Sequence, residues 1–171
     1  MNRNSAKDDG AEGGDSEIPR KAIRYLLADI CSAEDDVRWC AIRTLGQAVA
    51  QLADKDIEAA RTIMRRLMWS LNDESGGIGW GAPEAMAEIM AHHAGLAGEF
   101  AHILISFINP RGNYLGYPPL QRGVLWAIKR MAEVAPARME EARPFLRALT
   151  KSPEAEIREM AVAALNALAR A

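Results

Sequence analysis

Histidines, cysteines, carboxylates and tryptophans carry the chemistry this 171-residue chain has to offer, and their spacing narrows it. Glu84, Glu88 and His92 stand at i, i+4 and i+8, one face of a helix, and Glu99-Phe100-Ala101-His102 sets a carboxylate and an imidazole three apart on the next segment. Such groups suit a carboxylate-bridged metal site, but that site takes matching ligands from further helices, and the sequence offers none. The face reads as solvated, with no metal and no cofactor. Cys31 and Cys40 supply two ligands where zinc takes four, so they read as buried thiols facing each other across a hairpin. His92, His93 and His102 are the only histidines and fall on one hairpin. No nucleophile-base-acid set has workable spacing, and no catalytic residue is assigned.

The segment from Asn72 to Gly81 places four glycines in its last six residues, ahead of a helix. Free backbone N–H groups at such a place can cradle an anion. Asp73 and Glu74 would repel phosphate and no Walker-type lysine follows, so the glycines read as allowing close packing of backbone and Trp80. A second long loop, Asn109 to Pro119, carries Tyr114 and Tyr117. Both loops fall between the first and second helix of a hairpin and should project from one ridge.

Composition limits what could position these groups. Apolar residues make up 49% and aromatic residues 6%, with ten aromatic side chains in all, which suits an aliphatic core and is too few for a base-stacking sheet. Residues 1–17 hold two basic and five acidic side chains with three glycines, and read as a disordered acidic tail. The whole chain carries a formal charge of −2, so the remainder is close to neutral at +1, and bulk attraction to nucleic acid is not built in. No long uncharged apolar run argues for a membrane span, and the start has no apolar leader core, which points to the cytoplasm.

From Ile18 onward apolar residues recur at three- and four-residue spacing, which predicts an all-α body with helices near 18–31, 34–52, 55–71, 82–94, 98–108, 119–134, 137–150 (kinked at Pro144) and 153–170. The body also repeats. VRWCAIRTL (37–45), IGWGAPEAM (78–86) and IREMAVAAL (157–165) share an apolar residue, an alanine four later and a large apolar residue four after that; GVLWAIKRM (123–131) keeps the last two. The aligned alanines are Ala41, Ala82, Ala127 and Ala161, spaced 41, 45 and 34 apart, a period that marks a helical solenoid. Each alanine lets the next hairpin come close while larger neighbours fill either side.

Asp35-Asp36-Val37-Arg38 followed by Ala41 and Leu45, and Glu156-Ile157-Arg158 followed by Ala161 and Leu165, resemble the second-helix signature of HEAT repeats, nearest to the short phycobilisome-lyase-type bacterial kind. The resemblance covers residues 18–171 as about four hairpins. It departs at Gly79, where the motif has arginine, at Pro83, and at Gly123. It implies a right-handed α-solenoid that binds something along an inner face or ridge, and implies no particular reaction.

On a helix Trp39 falls opposite the stripe of Val37, Ala41 and Leu45, and Trp80 shares its register, so two indoles should line the inner surface. Arg43, Glu84 and Lys129 follow one turn on, then Gln47, Glu88 and Glu133. Trp39, Arg43, Trp80, Glu84, Glu88 and Lys129, with loop residues Tyr114 and Tyr117, form the expected contact set for a protein partner. The function expected is a non-enzymatic interaction or scaffold module. HEAT-like alkylated-base glycosylases offer an alternative, with Trp39, Trp80 and Glu84 in their aromatic and acidic roles and Arg38, Arg43, Arg65, Arg66, Lys129 and Arg130 gripping phosphate; a lyase accessory is another. Those basic residues alternate with acids, which disfavours nucleic acid. Val162, Ala163, Ala167 and Ala169 lie outward on the last helix, where an array end is normally polar, and suggest a homodimer.

Overall fold

The computed structural model describes residues 20–71 and 79–170. The acidic segment 1–17 and the glycine run up to Ile78 lie outside the described residues. Eight α-helices are present among the described residues: α1 (Arg20–Asp29), α2 (Asp35–Lys55), α3 (Ile57–Leu71), α4 (Ala82–His92), α5 (Ala94–Ser106), α6 (Pro118–Val134), α7 (Arg143–Leu149) and α8 (Ala155–Arg170). They pair as α1–α2, α3–α4, α5–α6 and α7–α8, and the second helices pack in sequence, α2 on α4, α4 on α6 and α6 on α8. The result is a two-layer stack, an all-α solenoid. Ala41, Ala82, Ala127 and Ala161 are all buried, as the close approach of successive second helices demands.

The motif arginine has a mechanical role. Arg38 Nη1 donates to the carbonyl of Ser32 (2.9 Å) and Arg158 Nη1 to that of Ser152 (2.8 Å), six residues back in each case. The same serines accept the N–H of Glu34 and Glu154 through Oγ. One arginine and one serine thus close the turn between first and second helix at both ends of the stack, satisfying groups that a helix start leaves open. The second hairpin closes that turn by close approach instead. Gly81 has φ +73°, and a Cβ on it would lie 2.4 Å from the Ile30 carbonyl oxygen.

Three expectations are corrected. The segment 137–150 is not one kinked helix: 3-10 turns at Pro136–Arg138 and Glu140–Ala142 precede a short α7, and Pro144 sits in its first turn, where its missing N–H costs nothing. Cys31 and Cys40 are both exposed. Cys31 lies in the turn after α1, and Cys40 shares the outward arc of α2 with Asp36, Arg43 and Gln47. The Glu84/Glu88/His92 face is not solvated as a whole, because α4 is flanked by α2 and α6 and buries residues nearly all round, Glu88 among them.

Candidate functional site

The N-terminal ends of the second helices surround one cavity of about 240 Å³. Trp39 comes from α2, Trp80 and Gly81 from the turn before α4, Pro83 and Glu84 from the first turn of α4, Gly123 and Trp126 from α6, and Met160 from α8. The Trp39 and Trp126 rings meet across α4, centroids 4.8 Å apart and planes tilted by 54°, an arrangement aromatic pairs favour. Trp80 is 41% exposed at the rim, where its carbonyl accepts the Cys31 thiol at 3.6 Å. Desolvation there pushes the Cys31 thiol up from its ordinary pKa.

Glu84 is the carboxylate of this cavity. Its Oε2 is sealed from solvent and has no hydrogen-bond partner. Burial pushes its carboxyl above the ordinary carboxylate range, while its own backbone N–H and the charge of Arg38 pull the other way. The side chain has this space because α6 places Gly123 opposite: a Cβ there would stand 2.8 Å from Oε1 and 2.9 Å from Oε2. One turn further along α4, Glu88 is treated differently. It accepts Arg130 Nε at 2.8 Å and lies 3.6 Å from His92 Nε2.

The arginines on the cavity wall are already engaged. Arg38 pairs with Asp35 beside its bond to Ser32, and Arg122 Nη1 lies 2.7 Å from Glu156 of α8. Each rim cation therefore has its own carboxylate, and Glu84 feels the charge of Arg38 without a cation bonded to it.

Of the contact set expected for a protein partner, the fold brings Trp39, Trp80 and Glu84 together and separates the others, and Arg38 joins them on the cavity wall. Arg43 is exposed on α2 outside the cavity, and Glu88 is tied to Arg130. Lys129 pairs with Glu133 and lines a different cavity, of about 380 Å³, with Asn166 and Arg170. Tyr114 accepts a hydrogen bond from Gln121 Nε2 at 2.9 Å and borders a third, of about 400 Å³, with Phe145 and Leu149; Tyr117 is exposed at the start of α6. His93 caps α5, its Nδ1 accepting Leu96 N–H at 3.0 Å. Trp126, Gly123 and Arg122 were not anticipated. Trp126 sits one residue before its alanine, whereas Trp39 and Trp80 sit two before theirs, so register alone passes over it.

The HEAT-like repeat family profile matches residues 118–168, from the start of α6 into α8. The fold is an α-solenoid of helical hairpins, and its stretch from α6 into α8 is the part that matches the HEAT-like repeat model. Solved structures agree in fold. An engineered protein from a structural genomics programme matches with a TM-score of 0.54 and 18% identity, covering 86% of this chain and 62% of that one. A designed armadillo repeat protein in complex with the peptide (KR)4 matches with a TM-score of 0.53 and 21% identity, covering 86% of this chain and 64% of that one. The chain spans less than two thirds of the length of either, and these structures share its fold alone. No curated protein matches the sequence. No helix among the described residues of the solenoid is long and apolar enough to cross a membrane.

Proposed function

We propose that this solenoid is a non-enzymatic interaction module that holds a protein partner against its second-helix face, with the cavity between Trp39, Trp80 and Trp126 as anchor point. The observation that carries the reading is the convergence of three indoles, from three different hairpins, on one opening. Large amphipathic rings around a pocket are the composition of a binding hot spot, because they give much contact area for little lost freedom. The cavity volume is below the range of about 300–1,000 Å³ usual for whole small-molecule ligands. It suits one side chain of a partner lying across the face. The designed armadillo repeat protein, solved with the peptide (KR)4, accommodates a peptide on a related architecture.

A glycosylase would use the same tryptophan and carboxylate chemistry but also a phosphate grip, and Arg38 and Arg122 are committed to Asp35 and Glu156. The interaction reading is tested by panning a random-peptide library on the wild-type protein. A recovered consensus should bind wild type and lose binding to a Trp39→Ala/Trp126→Ala variant that remains helical by circular dichroism. No consensus, or equal binding to both proteins, removes the reading.

A further inference from the structure

A buried oxygen without a donor is expensive, and in the folded chain Glu84 Oε2 has none. What would satisfy it can be argued from its walls. Trp39, Trp80, Trp126, Leu120 and Met160 are apolar or aromatic, and the indole faces are attractive to a cation as well as to methylene groups. Anionic guests would meet the unpaired carboxylate head-on. A neutral apolar guest would fill the space and leave Oε2 unsatisfied. A cationic head on an aliphatic stem meets both demands.

The adjacent turn of the same helix shows the complementary arrangement. Glu88, also on α4, receives a cation from within the chain, Arg130 of α6. Glu84 faces α6 two turns earlier, where Gly123 supplies no side chain at all. The rim arginines do not complete it, since Arg38 is held by Asp35 and Ser32 and Arg122 by Glu156.

We propose that the cavity over Glu84 is a slot for one alkylammonium group, supplied by a lysine side chain of the partner protein, toward which the Glu84 carboxylate turns its sealed oxygen as the amine enters, so that the lysine does for Glu84 what Arg130 does for Glu88. This rests on the interaction reading above and adds the chemistry of what is recognised. Lysine fits better than arginine: its compact head needs one strong acceptor inside and can leave its other donors toward water, whereas a planar guanidinium brings five donors to a site with one orphan oxygen. The four-carbon stem lies against the indoles.

The test uses the full chain and the peptide Ac-Gly-Gly-Lys-Gly-Gly-amide, with its norleucine counterpart as the neutral analogue that keeps the four-carbon stem and lacks the ammonium, n-butylammonium chloride as free amine and 7-methylguanosine as cationic base. Binding is read by tryptophan fluorescence and calorimetry at neutral pH. The lysine peptide should bind about tenfold more tightly than the norleucine peptide, the size of one charge-assisted hydrogen bond. Glu84→Gln should abolish that preference while leaving norleucine binding unchanged, and Gly123→Ala, which fills the slot from the other side, should weaken the lysine peptide too. Equal binding of the two peptides, insensitivity to Glu84→Gln, or binding of butylammonium or 7-methylguanosine without the lysine peptide overturns the proposal. In the panning experiment, a consensus lacking lysine would remove this inference and leave the interaction reading standing, whereas no consensus would remove that reading itself.

Discussion

Gly123 of α6 faces Glu84 of α4 so closely that a methyl group on it would stand 2.8 Å from the carboxylate. Gly46 of α2 faces Glu88 in the same way, but there the methyl would meet Cβ at 2.7 Å and the backbone carbonyl carbon at 3.1 Å. The two glycines flank α4 on opposite sides, and the difference lies in what can yield. A carboxylate at the end of a side chain can rotate away; a helix backbone cannot. Gly46→Ala is therefore expected to destabilise the protein by about 1–3 kcal/mol through overpacking. Gly123→Ala should cost less than about 1 kcal/mol, the helix propensity gained by alanine offsetting the displaced carboxylate. Urea unfolding of the two variants checks the order, and equal losses would contradict the geometry.

Glu84 gives a pH dependence with a definite sign. Burial raises its folded pKa, so protonation favours the folded state. The cost of the charge is absent below the unfolded carboxyl pKa of about 4.3 and grows as pH rises through the elevated folded value. The charged groups on the cavity wall around it are Arg38 from α2 and Arg122 from α6, each paired elsewhere. Glu84→Gln is expected to stabilise the free protein at pH 7 and to lose that advantage near pH 4. Thermal melts of both proteins across that interval show it, and a constant difference would argue that Glu84 is not desolvated.

Glu88, one turn on, has a cation bonded to it. With 6% of its surface exposed and Arg130 as its donor, it depends on that cation. Arg130→Ala leaves a buried charge beside His92, whose Nε2 lies 3.6 Å away, and is expected to destabilise by about 2 kcal/mol, discounted from a fully buried pair because Arg130 reaches solvent. Arg130→Ala combined with Glu88→Gln should recover part of the loss. A double-mutant cycle measures the recovery, and strict additivity would mean the pair is not coupled.

How much of this was legible in sequence follows the length scale of each feature. Ala41, Ala82, Ala127 and Ala161 repeat within the chain, so the stack of second helices could be read before any coordinates. Trp39, Trp80 and Glu84 could be placed near one another because register within a repeat fixes a direction around each helix. Trp126 and Gly123 could not, since their part depends on how far α6 is shifted along α4, which no spacing within one helix encodes. The same shift decides that Glu88 meets Arg130 while Glu84 meets glycine. Cys40 and the Glu88 face were misread for a related reason: exposure on a second helix is set by the neighbours on both sides, and α4, between two of them, has little free surface.

Gly81 joins the turn to the cavity and gives the last prediction. Its φ of +73° lies in the left-handed region, and the Ile30 carbonyl oxygen occupies the place a Cβ would take, at 2.4 Å. Alanine would suffer both the conformational cost and the clash with backbone, together about 2 kcal/mol or more. Gly116 is the control, because a Cβ there would meet only Tyr114 Cε1 at 3.7 Å, and Gly116→Ala should change stability by less than about 0.5 kcal/mol. Relief of the clash would push the α3–α4 turn away from α1 and carry Trp80 off the rim, so Gly81→Ala should also raise iodide quenching of tryptophan fluorescence. A Gly81→Ala protein as stable as wild type, with unchanged quenching, would mean that the turn does not hold Trp80 over Glu84 in the way described.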